Sequence, residues 1–209
     1  MNDHHKAAER FAKDTAQHQM TVLHDQGVYR HLRFKRPGCS AYYFDLITYP
    51  GGLLYRGDMG DFVFERLQDM FEFFRSDKGR INPGYWSEKV TTKANITEHD
   101  SEQFTRCVKE WVLGWMRDHR EETTKDDRRD LWDEVHADVL ECAEDPQRGF
   151  DAANNFHWQA PGSDGVKFYF QDFWEHNFDR YTLRFLWCCY ALVWAIGVYD
   201  KSKTVQAAA

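Results

Sequence analysis

The chain has few prolines and too few cysteines for a disulfide scaffold, with five of each among 209 residues. No two cysteines stand in a C-x-x-C spacing and their number is odd, so the sequence predicts neither a disulfide framework nor a cysteine-based zinc site. The cysteines are Cys39, Cys107, Cys142, Cys188 and Cys189. Their placement is typical of reduced, buried thiols in a cytoplasmic protein.

Long apolar runs are also scarce. The longest candidate, Phe185–Tyr199, has fifteen residues and lies between Arg184 and Asp200. A helix that spans a membrane needs roughly 20 apolar residues, so we expect a buried C-terminal helix and no membrane partner. The N-terminal stretch MNDHHKAAERFAKD is polar and of mixed charge, which is not the pattern of a signal peptide.

The common catalytic signatures are missing as well. The chain contains no P-loop, no G-x-G-x-x-G, no G-x-S-x-G and no H-E-x-x-H. Their absence makes the widespread nucleotide-binding, hydrolase and metalloprotease classes unfavourable. We therefore predict no catalytic residue, no metal ligand and no cofactor.

What the chain has is a globular composition rich in aromatics. Hydrophobic residues make up 42%, aromatic residues 16%, and the net charge is −7. This acidity is unfavourable for a protein that coats nucleic acid. The surplus of aromatic residues favours a thick core, is compatible with a homo-oligomer interface, and suits a site for a flat ligand.

The hydrophobic periodicity predicts an α+β fold with a single domain over residues 1–209. An N-terminal helix over residues 1–26, ended by Gly27, precedes a small antiparallel β-meander over residues 28–66. Tyr49-Pro50-Gly51-Gly52 fits a type II turn of this meander. Residues 67–201 are predicted to be mainly helical, and they end in the buried aromatic helix. Strands followed by helices favour α+β over alternating α/β.

Three segments carry a family resemblance. They are DLITYPGGLLYRGDMGDFVFERLQDMFEFFR (45–75), INPGYWSEK (81–89) and FLWCCYALVWAIGVYDK (185–201). They resemble a family of hypothetical proteins encoded by tailed bacteriophages and prophages, and the likeness extends from Tyr29 to Lys201. The resemblance implies a non-virion protein that acts in the bacterial host cytoplasm, and it carries over no catalytic residues.

The polar stretch around the GDMGD turn is the first candidate site. Aspartate and glycine are ordinary turn residues, so a structural turn is the favoured interpretation. The alternative is an exposed rim that binds a ligand or partner, formed by Tyr49, Arg56, Asp58 and Asp61. A hydrolase or nucleotide-modifying enzyme that uses Asp58 and Asp61 is a further alternative.

The basic strand over residues 30–36 is the second candidate. Arg33 and Lys35 share a face and, with Arg30, could contact phosphate groups. We favour an edge strand whose charges prevent sheet-to-sheet association, and the preference reverses if the strand is central. In that case a nucleic-acid-binding protein becomes the alternative.

Two further features suggest binding. Tyr85 and Trp86 follow Asn82-Pro83-Gly84, where they could stack on a base, although a helix start packed on the sheet is favoured. The segment Arg117–Asp145 holds twelve Asp or Glu against five Lys or Arg. It could imitate a phosphate track and occupy a basic host surface, although a solvated helix pair is the simpler interpretation.

Together these features favour a non-enzymatic phage accessory protein. We expect it to bind a host macromolecule or a nucleotide-like small molecule and to counter a bacterial defence system.

Overall fold

The computed structural model describes residues 3–75, 79–92, 95–161 and 165–207. About 49% of the chain is helical and 23% lies in strands, so the predicted α+β class is confirmed. The chain divides into two compact units: residues 1–97 with 181–209, here called the sheet unit, and residues 98–180, here called the helical unit. The single domain over residues 1–209 stays a prediction, because a compact unit need not fold independently.

The sheet unit contains one five-stranded antiparallel sheet in which each strand pairs with the next along the chain. The strands are β1 (Gln19–Gln26), β2 (Tyr29–Lys35), β3 (Phe44–Tyr49), β4 (Gly52–Gly57) and β5 (Gly60–Glu65). The antiparallel meander predicted over residues 28–66 is therefore confirmed. Gly51 takes the positive φ of 87° that the predicted type II turn requires.

The N-terminal helix predicted over residues 1–26 is wrong beyond Thr15. Helix α1 spans Asp3–Thr15, and β1 follows it. Gly27 does not end a helix but takes a positive φ of 60° in the turn between β1 and β2. Pairing with β2 gives hydrogen-bond partners to the backbone N–H and C=O groups of β1. This stabilisation outweighs the weak helix preference of a polar segment that includes the β-branched Thr21 and Val22.

The C-terminal helix α7, Leu183–Ala207, lies in the core of the sheet unit, as predicted. Its Trp187 is fully buried and makes edge-to-face contacts with Phe11 at 5.0 Å and with Phe44 at 5.7 Å. By length and composition Leu183–Val205 could cross a membrane, but 56% of its apolar window is buried within the protein. Such burial is typical of a core helix and is compatible with a soluble protein.

Two short helices complete the sheet unit: α2 (Met70–Phe74) and α3 (Pro83–Ser87). Asp69 caps α2 by accepting a hydrogen bond from the Phe71 N–H at 2.9 Å. The side chain of Asn82 accepts one from the Tyr85 N–H at 3.3 Å, so α3 begins at Pro83 as the sequence predicts.

The Tyr55 hydroxyl is one of three buried side-chain polar atoms of the sheet unit without a hydrogen-bond partner within the described residues, together with His18 Nδ1 and Arg30 Nε. Tyr55 is fully buried, and its hydroxyl has no hydrogen-bond partner within the described residues. We expect Tyr55→Phe to leave the free energy of unfolding unchanged or to raise it by about 1 kcal/mol, because a desolvated hydroxyl without a partner is lost. Thermal unfolding monitored by circular dichroism measures this effect.

Tyr199→Phe is the matched control for that substitution. The hydroxyl of Tyr199 donates a hydrogen bond to Asp25 at 3.0 Å, so its removal should lower the free energy of unfolding by about 1 kcal/mol. A larger loss of stability in Tyr55→Phe than in Tyr199→Phe would contradict the expectation.

The helical unit packs around a cluster of phenylalanines. Its elements are α4 (Ser101–Asp118), α5 (Lys125–Asp138), α6 (Pro146–Asn155), the paired strands β7 (His157–Gln159) and β8 (Lys167–Tyr169), and 3₁₀ turns at Leu140–Cys142 and Phe173–Glu175. Phe104 of α4 is fully buried against Phe173 and Phe178, with ring centroids 5.7 and 5.2 Å apart. The short strands β6 (Thr97–His99) and β9 (Asp179–Tyr181) form a separate two-stranded pair.

Candidate functional site

The sheet face that points away from the core, here called the outer face, brings together most of the predicted binding residues. Burial alternates along β2, which places Arg30, Leu32 and Phe34 inward and their neighbours outward. The outer face carries Arg33, Lys35, Asp45, Ile47, Tyr49, Leu54, Arg56, Asp61 and Val63. Tyr49, Arg56 and Asp61 of the predicted rim therefore share one surface.

A row of alternating charge crosses this outer face. Arg33 lies opposite Asp45, Asp45 opposite Arg56, and Arg56 opposite Asp61. Arg33 donates two hydrogen bonds of 2.8 Å to Asp45, and His31 Nε2 lies 3.1 Å from the same carboxylate. Burial favours a raised pKa for Asp45, but the hydrogen bonds with Arg33 and His31 outweigh it and hold the pKa below its usual value. The charge of Arg33 is thus compensated within the sheet.

The basic strand is not the edge strand that we favoured. β2 lies between β1 and β3, so the preference reverses towards phosphate contacts, but the three residues do not act together. Arg30 points into the core, is 8% exposed and forms two 2.9 Å hydrogen bonds with Asp69. Lys35 is exposed at the end of the strand. A surface of three free cations is therefore not formed.

Asp58 has a structural contact in the turn between β4 and β5. Its carboxylate accepts a hydrogen bond from the backbone N–H of Tyr42 at 2.6 Å, and Tyr42 takes a positive φ of 58°. Asp58 thereby holds the loop before β3, in keeping with the favoured turn interpretation. Among the described residues, no group of three or more His, Cys, Asp or Glu is placed to hold a metal ion.

The two aromatic residues of α3 have different surroundings. Trp86 is 5% exposed and packs edge-to-face on Phe74 at 5.0 Å, so it belongs to the core. Tyr85 is 41% exposed, and the ammonium group of Lys89 lies 4.8 Å from its ring centroid. Only Tyr85 of this pair is available for stacking.

A further concave surface lies in the helical unit, and of its lining residues only Asp118 belongs to a predicted binding feature, the acidic segment Arg117–Asp145. A cleft of about 640 Å³ lies between one face of α4 and the segment from β8 to His176. Its lining residues are Cys107, Glu110, Trp111, Gly114, Trp115, Asp118, Lys167, Phe168, Tyr169, Gln171 and His176. The α4 residues stand at i, i+3, i+4, i+7, i+8 and i+11, which is the spacing of one helix face.

Rigid aromatic contacts hold the wall of this cleft. The indole of Trp115 stacks on His119 at 4.4 Å and meets Trp158 and Phe168 edge-on at 5.7 and 5.6 Å. Trp111 lies edge-to-face with His176 at 6.2 Å. Gly114 lies between these two indoles along the helix, and a Cβ there would meet no atom within 4 Å. The missing side chain therefore leaves the cleft open.

The cleft and its unit are acidic. Residues 98–180 contain 21 Asp or Glu and 10 Lys or Arg, a net charge of −11, whereas the sheet unit has 13 and 17, a net charge of +4. Glu110 and Asp118 line the cleft on the α4 side, and Lys167 lines it on the other. Burial raises the pKa of the Cys107 thiol, and the nearby charge of Glu110 adds to this effect. Cys107 therefore stays a protonated thiol rather than a nucleophilic thiolate at neutral pH.

In comparisons with known proteins, the chain matches no protein-family model, no curated protein and no solved structure.

Proposed function

We propose that this chain is a non-enzymatic binding protein and that the cleft of the helical unit receives a group of its partner. The observation that carries the proposal is the cleft itself, which has a volume of about 640 Å³, aromatic walls and a few polar groups. Ligand sites in proteins commonly have volumes of roughly 300–1,000 Å³ and this kind of lining. The half-buried indoles of Trp111 and Trp115 give such a site contact area at low entropic cost.

The side-chain chemistry near the cleft supports binding more than catalysis. Cys107 and His176 both line it, but the raised pKa of Cys107 keeps the thiol protonated and so removes the nucleophile of a cysteine enzyme. Asp58, one of the two carboxylates that a hydrolase interpretation would use, accepts a backbone hydrogen bond at the sheet turn. An accessory protein that occupies a partner surface requires neither group to react.

The partner that we propose is a host macromolecule with a basic surface, met in the bacterial cytoplasm. The net charge of −11 on the helical unit favours association with positive surfaces, which nucleic-acid-binding proteins commonly present. The resemblance to proteins of tailed phages and prophages supports a role against host defence. In this proposal the partner is a protein, and the nucleotide-like ligand and the nucleic acid become the alternatives.

Capture of partners from a bacterial lysate with a cleft-blocked variant tests the proposal. Gly114→Leu fills the cleft with a side chain that meets open space, and leucine also favours a helix more than glycine does. We expect one macromolecule to be enriched by the wild-type protein and to lose most of that enrichment with Gly114→Leu. Quantitative mass spectrometry of the captured material measures this difference.

Gly197→Leu is the matched control, because Gly197 lies in α7 and a Cβ there also meets no atom within 4 Å. It should capture the same macromolecule as the wild-type protein. Enrichment that survives Gly114→Leu, or that is lost equally with both variants, would refute a role for the cleft.

A further inference from the structure

We propose that the cleft of the helical unit binds a guanidinium group, the side chain of an arginine exposed on a protein partner, which lies over Gly114 between Trp111 and Trp115. This inference rests on the proposed function, because it names the group that the cleft receives. Arginine is the cation that best combines a flat face for stacking with a fixed charge.

Two carboxylates flank the position that the cation would occupy. Glu110 and Asp118 lie four residues before and four residues after Gly114, which is one helical turn, or about 6 Å along the axis, in each direction. Both side chains are exposed, and neither forms an ion pair or a hydrogen bond with another described residue. Neither carboxylate is therefore paired within the described residues, which suits a cationic guest.

The aromatic walls suit the same guest. A cation over an indole is attracted by the negative face of the ring, and tryptophan gives the strongest such contact. Packing against His119, Trp158 and Phe168 fixes the orientation of Trp115, so little side-chain entropy is lost when a guest binds. The edge-to-face contact with His176 orients Trp111 in a similar way.

Lys167 would repel a cationic guest and attract an anionic one. Its replacement therefore shows whether the guest is positively or negatively charged. Lys167 is the single lysine or arginine among the lining residues, it is exposed, and it extends from β8. A long lysine stem can turn its ammonium group into solvent, so the two carboxylates and the unit charge of −11 still favour a positive guest. An anionic guest such as a nucleotide phosphate would prefer Lys167 and be repelled by the carboxylates.

A pair of short peptides tests the inference. One has a single arginine within glycine and serine residues, and the other has citrulline, which has nearly the same shape but no charge, in its place. We expect the arginine peptide to quench the tryptophan fluorescence of the wild-type protein and to bind about tenfold more tightly than the citrulline peptide at low salt. Gly114→Leu, which leaves the charge unchanged, should abolish saturable binding of the arginine peptide.

Charge variants then identify the groups that select the cation. Glu110→Gln and Asp118→Asn should each weaken binding of the arginine peptide about threefold to fivefold, whereas Lys167→Gln should tighten it. Glu134→Gln is the matched control, because it removes an exposed carboxylate of α5 that does not line the cleft. Its affinity for the arginine peptide should equal that of the wild-type protein.

Several outcomes would overturn the inference. Equal affinity for the two peptides, no saturable binding of either, or tighter binding of adenosine monophosphate that Gly114→Leu abolishes would each exclude an arginine guest. Free agmatine, which carries the same guanidinium group, that binds far more tightly than the arginine peptide would indicate a small guanidinium compound instead of a protein side chain. None of these results decides the capture experiment, which tests the proposed function separately.

Discussion

Arg30→Met is expected to lower the free energy of unfolding by about 3 kcal/mol, because it leaves the Asp69 carboxylate unpaired in a largely buried site. The side chain of Arg30 is 9% exposed and that of Asp69 is 19% exposed. The guanidinium group also lies 4.6 Å from the ring centroid of Phe71 and 5.6 Å from that of Tyr199. Methionine keeps part of the aliphatic stem, so the loss comes mainly from the charge and its hydrogen bonds. Urea-induced unfolding at neutral pH measures the effect.

Arg75→Met is the control that separates the effect of burial from the effect of losing an arginine–carboxylate pair. Arg75 donates two hydrogen bonds of 3.0 Å to Asp200, so the pairing geometry resembles that of Arg30 with Asp69. The two side chains are 42% and 39% exposed, however, and an exposed ion pair contributes less than about 1 kcal/mol. Similar losses in Arg30→Met and Arg75→Met would show that burial does not make the Arg30 pair important.

The same variant should change the dependence of stability on pH. Burial favours a raised pKa for Asp69, but the hydrogen bonds from Arg30 and from the Phe71 N–H outweigh it, and the pKa lies below its usual value. Ionised Asp69 therefore stabilises the fold above its usual pKa of about 3.9, and this contribution is lost as the pH falls through the lower folded value. We expect the urea midpoint of the wild-type protein to fall more steeply below about pH 4 than that of Arg30→Met. Parallel acid limbs in the two proteins would contradict this assignment.

Local turn chemistry made the meander predictable. Gly51 has the positive φ that a type II turn needs, and each predicted strand from β2 to β5 is bounded by residues that favour turns. The strand β1 was missed because its residues carry no alternating hydrophobic pattern. All eight residues of β1 are exposed or partly exposed. β1 is an edge strand, and its backbone pairing with β2 holds it in the sheet. Such pairing depends on a partner strand and leaves little trace in local composition.

The outer face was predictable in part, and the cleft was not. Periodicity places Arg33 and Lys35 on one side of β2, but it does not reveal that Asp45 of the next strand compensates Arg33. On α4, Cys107, Trp111 and Trp115 recur at helical spacing together with Phe104, Val108 and Val112, so periodicity alone would treat all six as core. Only the last three are buried, because the segment that contains β8 leaves the first three partly uncovered. A glycine in the middle of an amphipathic helix was the available signal, since helix interiors disfavour glycine unless its lack of a side chain has a use.

Gly57→Ala is the second substitution with a large expected effect, because the new methyl group would meet the backbone. A Cβ at Gly57 would lie 2.2 Å from the carbonyl oxygen of Tyr43 and 2.8 Å from the Cα of Phe44. Relief of that overlap requires β3 and β4 to separate where Phe44 pairs with Gly57, next to the fully buried rings of Phe44 and Tyr55. We expect a loss of about 3 kcal/mol in the free energy of unfolding, measured by urea denaturation.

Gly52→Ala on the same strand should be far less harmful, although the geometric overlap is as short. A Cβ at Gly52 would lie 2.2 Å from the Cζ atom of Tyr49, but that ring is 38% exposed and can rotate into solvent. Neither glycine has a positive φ, so alanine also gains the entropy that glycine loses on folding, about 0.5–1 kcal/mol. A net change within about 1 kcal/mol is therefore expected. If Gly52→Ala were as damaging as Gly57→Ala, the Tyr49 ring would have to be a fixed part of the outer face, and the substitution Tyr49→Ala in the Gly52→Ala background would then restore stability.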